Sequence, residues 1–121
     1  MSRGLVLVVA DDARFASFVL AGLRGEGYEV HLASSGPAAE ALDQTRAFDL
    51  VLLDHRLAEG SVHALVRGWR ASERTMPIIL LTERDSAGEH TAAFIAGTAA
   101  TLPKPFPLDA LFNMVQGMLP A

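Results

Sequence analysis

The sequence predicts an α/β fold with one doubly wound parallel sheet, in which five strands lie in the order 2-1-3-4-5 and five helices cover the faces. Five short apolar runs alternate with helical patterns along the chain, and this alternation is typical of parallel strands covered on both sides. Four of the runs also lead into polar side chains. The carboxyl ends of parallel strands lie at one rim of the sheet, and right-handed crossovers make the doubly wound topology the natural one.

The first strand and helix have clear limits. Leu5 to Ala10 is an apolar run of strand length. From Ala13 to Gly25, apolar and small residues recur at helical spacing, namely Phe15, Phe18, Val19, Gly22 and Leu23. Gly25 and Gly27 predict the end of this helix, and Tyr28 to Ala33 is the second strand.

The middle of the chain repeats the pattern. Pro37 is favoured in the first turn of a helix, so we expect a second helix through Arg46 with Ser34 or Ser35 as its cap. The apolar run Leu50 to Leu53 is the third strand. A loop containing Gly60 follows, and a third amphipathic helix is marked by Val62, Leu65, Val66 and Trp69.

The fourth strand, Ile78 to Thr82, opens after Pro77, and a fourth helix capped by Ser86 is expected to run to Gly97. The fifth strand lies near Ala100 to Leu102. Because Pro103 cannot donate a hydrogen bond to a neighbouring strand, this strand belongs at a sheet edge, which the order 2-1-3-4-5 provides.

The last helix is predicted from its apolar face, with Pro107 and Asp109 near its start. The apolar face is formed by Leu108, Leu111, Phe112, Val115, Met118 and Leu119.

Composition limits the class of protein. A length of 121 residues suits one domain, 1–121, and the absence of cysteine excludes disulfides and thiolate metal sites. The net charge is -4 and the basic residues are scattered, which argues against direct nucleic-acid binding. Leu5 to Ala10 is too short for a membrane span. We therefore expect a cytoplasmic protein without membrane association.

The polar strand ends predict a site for phosphoryl chemistry. Asp11 and Asp12 follow the first strand, Asp54 the third, Thr82 ends the fourth, and Lys104 follows the fifth. Three crowded carboxylates repel unless a cation compensates, and Mg2+ prefers such oxygen ligands. An aspartate can act as a nucleophile toward phosphorus. Lys104 is also the only lysine of the chain.

Each residue has a plainer interpretation. Asp11 or Asp12 could simply cap the first helix, Thr82 could be a strand-end β-branched residue, and Lys104 could be solvated. Their joint placement at four strand ends favours the functional interpretation.

The chain resembles the response-regulator receiver domain of two-component signalling, which has a flavodoxin-like fold. The resemblance spans almost the whole chain. It is carried by Asp11-Asp12, Asp54, the run Pro77 to Thr82, Ala96-Gly97 and Lys104-Pro105-Phe106.

The resemblance implies that Asp54 takes a phosphoryl group from a phosphohistidine of a sensor kinase or a phosphotransfer protein. It also implies that Asp12, Asp54 and the backbone carbonyl of Arg56 bind Mg2+ directly, and Asp11 largely through water. Lys104 would contact the phosphoryl group, with a cis bond to Pro105, and Thr82 would follow the group and couple chemistry to shape.

As a receiver, the chain would catalyse only the phosphorylation and dephosphorylation of its own aspartate. A homodimer would form through the fourth helix, fifth strand and fifth helix, near Phe94, Ile95 and Thr101.

Four positions depart from the usual pattern of the family. Thr101 replaces a common aromatic residue, Ala58 a usual proline, Val62 a frequent glycine, and Glu83 a small residue. These departures leave open an alternative, a receiver-like interaction module whose output does not depend on phosphorylation. A phosphatase with an aspartate nucleophile would need a second aspartate two residues after Asp54, where Arg56 stands.

We further expect Arg56 or Arg84, which occupy positions that tune phosphoryl lifetime in the family, to pair with Glu83 or Glu59 or to reach the phosphoryl group. The histidines, His31, His55, His63 and His90, show no metal-ligand spacing. We interpret them as surface or loop residues, with His55 close enough to Asp54 to be influenced by it.

Overall fold

The computed structural model describes residues 3–57, 62–83 and 97–119. Its strands are β1 (Leu5–Val9), β2 (Glu29–Ala33), β3 (Leu50–Asp54), β4 (Ile78–Glu83) and β5 (Ala100–Lys104). The helices in these ranges are α1 (Ala13–Gly25), α2 (Gly36–Thr45), α3 (Val62–Ala71) and α4 (Leu108–Met118). None of these helices has the length and apolar character needed to cross a bilayer.

The five strands form one parallel sheet in the order β2-β1-β3-β4-β5, which confirms the predicted architecture. β1 pairs with β2 on one side and β3 on the other, so the strand order reverses between β1 and β3. β5 lies at the edge, as Pro103 predicts. The helix predicted from Ser86 to Gly97 falls almost wholly outside the described residues.

The sheet separates two apolar cores because successive strand residues point to opposite faces. On one face, Leu7, Leu53 and Leu80 pack with Trp69 of α3. On the other, strand residues pack with α1 and α4 in a cluster that includes Val8, Leu52, Leu81, Leu23 and Leu111. All four residues from Leu50 to Leu53 are fully buried, as expected for a central strand covered on both sides.

Helices α1 and α2 begin at side-chain caps. Asp12 Oδ1 accepts hydrogen bonds from the backbone N–H groups of Arg14 and Phe15 at 3.0 and 3.2 Å. Ser35 Oγ accepts one from Ala38 at 3.1 Å, which identifies Ser35 rather than Ser34 as the second cap. These bonds satisfy donors that the first turn of a helix leaves unpaired.

Helix α1 packs closely on α4 at Gly22. A Cβ atom at this position would lie 3.3 Å from both Leu108 methyl carbons and 3.3 Å from Phe112 Cζ. The absence of a side chain at Gly22 therefore lets the two helices approach each other beside the edge strand that carries Lys104.

Several predicted boundaries shift by a residue. β1 ends at Val9 rather than Ala10, β3 includes Asp54, and α2 ends at Thr45 rather than Arg46. Tyr28 precedes β2, since its N–H donates to Leu23 O and closes the turn after α1. Of the predicted stripe on α1, Val19 and Leu23 are fully buried but Phe18 is 53% exposed, because Phe18 lies at the margin of the buried face.

Candidate functional site

The candidate site lies at the carboxyl ends of β1, β3, β4 and β5. Asp54 is the last residue of β3 and its side chain is only 2% exposed. β3 is flanked by β1 and β4, so Asp54 sits beside the point where the strand order reverses. Ligands of open α/β sheets bind at this kind of position.

Lys104 reaches Asp54 from the edge of the sheet. Its Nζ lies 3.0 Å from Oδ1 and 3.0 Å from Oδ2 of Asp54. The lysine side chain is 23% exposed, so the pair is only partly open to solvent. A buried carboxylate needs such a partner, and the structure thus brings together two of the predicted site residues.

A backbone hydrogen bond and a nearby imidazole also contact the Asp54 carboxylate. The backbone N–H of Arg56 donates to Oδ1 at 3.2 Å. His55 Nδ1 lies 2.9 Å from Leu81 O and 3.4 Å from Asp54 Oδ1. His55 is a loop residue, as expected, because it lies in the turn after β3, but its side chain is only 8% exposed and does not lie on the surface. Its expected proximity to Asp54 is confirmed.

An ion pair spans the ends of β3 and β4 next to this carboxylate. Arg56 Nη1 donates to Glu83 Oε1 at 2.8 Å, and His55 Nε2 lies 3.8 Å from the same oxygen. The expected pairing of Arg56 with Glu83 is thereby confirmed. Arg84 and Glu59, the other residues of that hypothesis, lie outside the described residues.

Asp11 and Asp12 follow β1 and are both exposed. Asp12 caps α1 through Oδ1, so the capping interpretation is correct for this residue. Its second oxygen, Oδ2, makes no hydrogen bond within the described ranges. Capping and metal binding are therefore compatible at Asp12, because they use different oxygens.

Thr82 is fully buried near the end of β4. It stands opposite Pro103 in the pairing of β4 with β5. Pro103 immediately precedes Lys104 in the chain, so Thr82 lies near the lysine. Thr101, at the position where the family commonly has an aromatic residue, is half-buried on β5. The Lys104–Pro105 peptide bond is cis.

The donor set fits a hard divalent cation in its chemistry. Asp11, Asp12, Asp54 and the Arg56 carbonyl offer only oxygen atoms, which Mg2+ prefers. Across residues 3–57, 62–83 and 97–119, however, no three acidic or imidazole side chains already converge on one point. Both Asp54 oxygens face Lys104 Nζ at 3.0 Å.

Sequence reasoning assigned Phe15 only to the apolar stripe of α1 and missed the contact of its ring with Lys104. Lys104 Nζ lies 4.2 Å from the centre of the Phe15 ring. The signal that links Phe15 to the site is its spacing from Asp12, because the cap holds the first turn on which Phe15 sits. Phe94 and Ile95, predicted near a dimer face, and Ala58 lie outside the described residues.

A family model for the response regulator receiver domain matches residues 6–116. At 35% identity, the chain is similar to the response regulator protein PmrA of Pseudomonas aeruginosa, with 93% of this chain and 51% of PmrA covered. At 39% identity it is similar to the transcriptional regulatory protein ZraR of Salmonella typhimurium, with 98% of this chain and 27% of ZraR covered. The chain thus spans about half or less of these relatives.

The fold comparison agrees with the sequence comparison. The chemotaxis response regulator CheY4 of Vibrio cholerae has a similar structure, with a TM-score of 0.89 and 28% identity. The likeness covers 96% of this chain and 98% of CheY4. In contrast to PmrA and ZraR, CheY4 is matched over nearly its whole length.

Proposed function

Because this chain belongs to the family of response-regulator receiver domains, we propose that it accepts a phosphoryl group on Asp54. The donor is a phosphohistidine of a sensor kinase or of a phosphotransfer protein. The supporting observation is the buried Asp54 carboxylate with Lys104 Nζ 3.0 Å from both of its oxygens. A carboxylate at the switch point of the sheet, paired with a lysine ammonium, suits a nucleophile toward phosphorus.

In the transfer, a carboxylate oxygen displaces the histidine nitrogen from phosphorus. One Asp54 oxygen forms a bond to phosphorus while the bond between phosphorus and the histidine nitrogen breaks, and the nitrogen keeps the electron pair. Charge remains on the phosphoryl oxygens throughout, so catalysis depends on positioning and electrostatic stabilisation. Lys104 supplies one positive charge, and Thr82 supplies a hydroxyl that donates to the bound group.

Mg2+ would be held by Asp12, Asp54 and the Arg56 carbonyl, with Asp11 acting largely through water, and it would neutralise charge on the phosphoryl oxygens. The chain itself orients the nucleophile, because the Arg56 N–H fixes Oδ1 of Asp54. We infer that the chain acts in the cytoplasm and catalyses only the phosphorylation and dephosphorylation of its own aspartate. We also propose a homodimer through the face formed by the predicted fourth helix, β5 and α4.

Intact mass spectrometry tests this function. The parent and Asp54→Asn are incubated with acetyl phosphate, with and without Mg2+. We expect the parent to gain one phosphoryl group only with Mg2+, and Asp54→Asn to gain none. A parent that neither gains mass nor binds Mg2+ would support the alternative, an interaction module whose output is independent of phosphorylation.

A further inference from the structure

The ammonium of Lys104 is held between a carboxylate and an aromatic ring. On one side it contacts both oxygens of Asp54 at 3.0 Å. On the other it lies 4.2 Å from the centre of the Phe15 ring. A cation at this distance from a ring face is attracted by the negative charge of the π-system, and partial burial strengthens the attraction.

The Phe15 ring is itself fixed from two directions. Its backbone N–H donates to Asp12 Oδ1 at 3.2 Å, which anchors the first turn of α1. The ring also packs edge-to-face with Phe106, with ring centres 6.1 Å apart and planes at 81°. This edge-to-face arrangement is a favourable geometry for two aromatic rings. Phe15 is therefore positioned by these contacts beside the lysine side chain.

A lysine side chain has many rotamers, and holding it in one geometry has a large entropic cost. Asp54 cannot offset this cost alone throughout the reaction, because one of its two oxygens becomes bonded to phosphorus and the carboxylate then loses its negative charge. The Phe15 contact does not depend on Asp54, so it persists when the carboxylate is engaged. Reacting groups held in place in this way react faster than freely moving ones.

We propose that Phe15 is a positioning residue that holds the Lys104 ammonium where the phosphoryl oxygens arrive. This inference rests on the proposed function, since it assigns a residue to the same reaction. Phe15 also links Asp12 to Lys104, because its N–H donates to Asp12 and its ring contacts the Lys104 ammonium. The first turn of α1 therefore contributes to the positions of both residues.

Four variants separate ring electrostatics from packing. Phe15→Leu keeps an apolar side chain but removes the π-system. Phe15→Tyr keeps an aromatic face. Site-specific replacement of Phe15 by trifluorophenylalanine keeps the ring shape and withdraws negative charge from its face. Phe18→Leu is the matched control, because Phe18 lines the same shallow apolar depression but has no ring contact with Lys104 among the described residues.

The rate of phosphorylation by acetyl phosphate with Mg2+ is followed by intact mass. We expect Phe15→Leu and the trifluorinated protein to react about three- to tenfold more slowly than the parent. Phe15→Tyr and Phe18→Leu should both retain the parental rate. Circular dichroism verifies that each variant is folded.

A second measurement does not require phosphorylation. Because Lys104 is the only lysine, selective isotope labelling of lysine reports on it alone. Its ε-methylene protons should be shifted upfield by the Phe15 ring current in the parent and in Phe15→Tyr, and should lose that shift in Phe15→Leu.

Parental rates in Phe15→Leu or in the trifluorinated protein would overturn the positioning role. An equal loss in Phe18→Leu would also overturn it, because packing alone would then explain the effect. A parent that takes up no phosphoryl group contradicts the proposed function and with it any role of Phe15 in the reaction. In that case the Lys104 resonance still shows whether the ring contact exists. An upfield shift means that only the proposed function fails, and no shift means that the contact is absent as well.

Discussion

Glu73 ends α3 in a backbone conformation that glycine adopts at lower cost. Its φ is 63°, in the left-handed region. The N–H groups of Glu73 and Arg74 donate to Arg70 O and Trp69 O and close the helix end. Gly27 occupies the matching position after α1, with a φ of 95°. The same motif is therefore built once with a glycine and once with a side chain that strains it.

We expect Glu73→Gly to raise the free energy of unfolding by about 0.5–1 kcal/mol, because relief of the left-handed strain exceeds the entropy that glycine adds to the unfolded chain. Gly27→Ala should lower it by about 1 kcal/mol. Urea unfolding measures both. Glu73→Ala is the control for loss of the carboxylate, and a gain as large as that of Glu73→Gly would show that charge rather than backbone strain is responsible.

The pair Arg56–Glu83 is expected to act on kinetics rather than on stability. The two side chains are 67% and 51% exposed, and exposed pairs contribute little to folding. The pair lies next to Asp54, however, and we expect it to restrict the approach of water to a phosphoryl group on that residue.

We therefore expect Arg56→Ala and Glu83→Gln to lose the phosphoryl group about two- to tenfold faster than the parent, which corresponds to a barrier lower by roughly 0.4–1.4 kcal/mol. Decay of the phosphorylated mass after removal of the donor measures this rate. Arg67→Ala, an exposed arginine on α3, is the control. Equal lifetimes in the parent and both variants would contradict the role of the pair.

At the level of elements, Asp43 and Arg74 tie α2 to the segment after α3. Arg74 Nη2 lies 2.7 Å from Asp43 Oδ1, and the Asp43 side chain is 9% exposed. Burial raises the pKa of Asp43 above its ordinary value, and the positive charge of Arg74 opposes this only in part. The folded protein thus holds the Asp43 proton more tightly than the unfolded chain does.

The raised pKa of Asp43 makes its contribution to the free energy of unfolding decrease with pH. A raised pKa in the folded state contributes stability below the unfolded pKa of about 4, and this contribution is lost as pH rises through the folded pKa. The free energy of unfolding of the parent minus that of Asp43→Asn should therefore fall as pH rises from about 4, and then stay constant. Urea unfolding across this pH range measures the difference, with Glu40→Gln on the same helix as a control. A difference that increases with pH would mean that the attraction of Arg74 outweighs burial.

At the level of the whole molecule, a ligand that binds only the folded site stabilises the entire domain. Beryllium fluoride with Mg2+ imitates a phosphoryl group on an aspartate. At a concentration of 100 times its Kd, it should raise the free energy of unfolding by about 2.7 kcal/mol. Thermal unfolding measures the gain, and Asp54→Asn should show none. Equal stabilisation of Asp54→Asn would place the binding elsewhere.

The sequence predicts the sheet well because its signals are local. Short apolar runs mark the strands, and Pro103 indicates which strand lies at the edge. Asp54 and Lys104 were expected to meet because parallel strands end at one rim. The burial of His55 was not predicted, since it lies just past β3, where alternation no longer indicates a face. Nor does helical spacing show that Phe15 faces an ammonium, because that contact depends on how α1 sits against β5.

The division of the interior by the sheet has a consequence for how this domain can be altered. Leu52 and Leu53 are neighbours in the chain, yet they belong to different cores. Because their side chains pack in different clusters, coupling between substitutions at two such positions passes only through the shared strand backbone. Side chains of one core can then be exchanged without direct contact with the side chains of the other. Alternate positions of each strand therefore specify the packing of different cores.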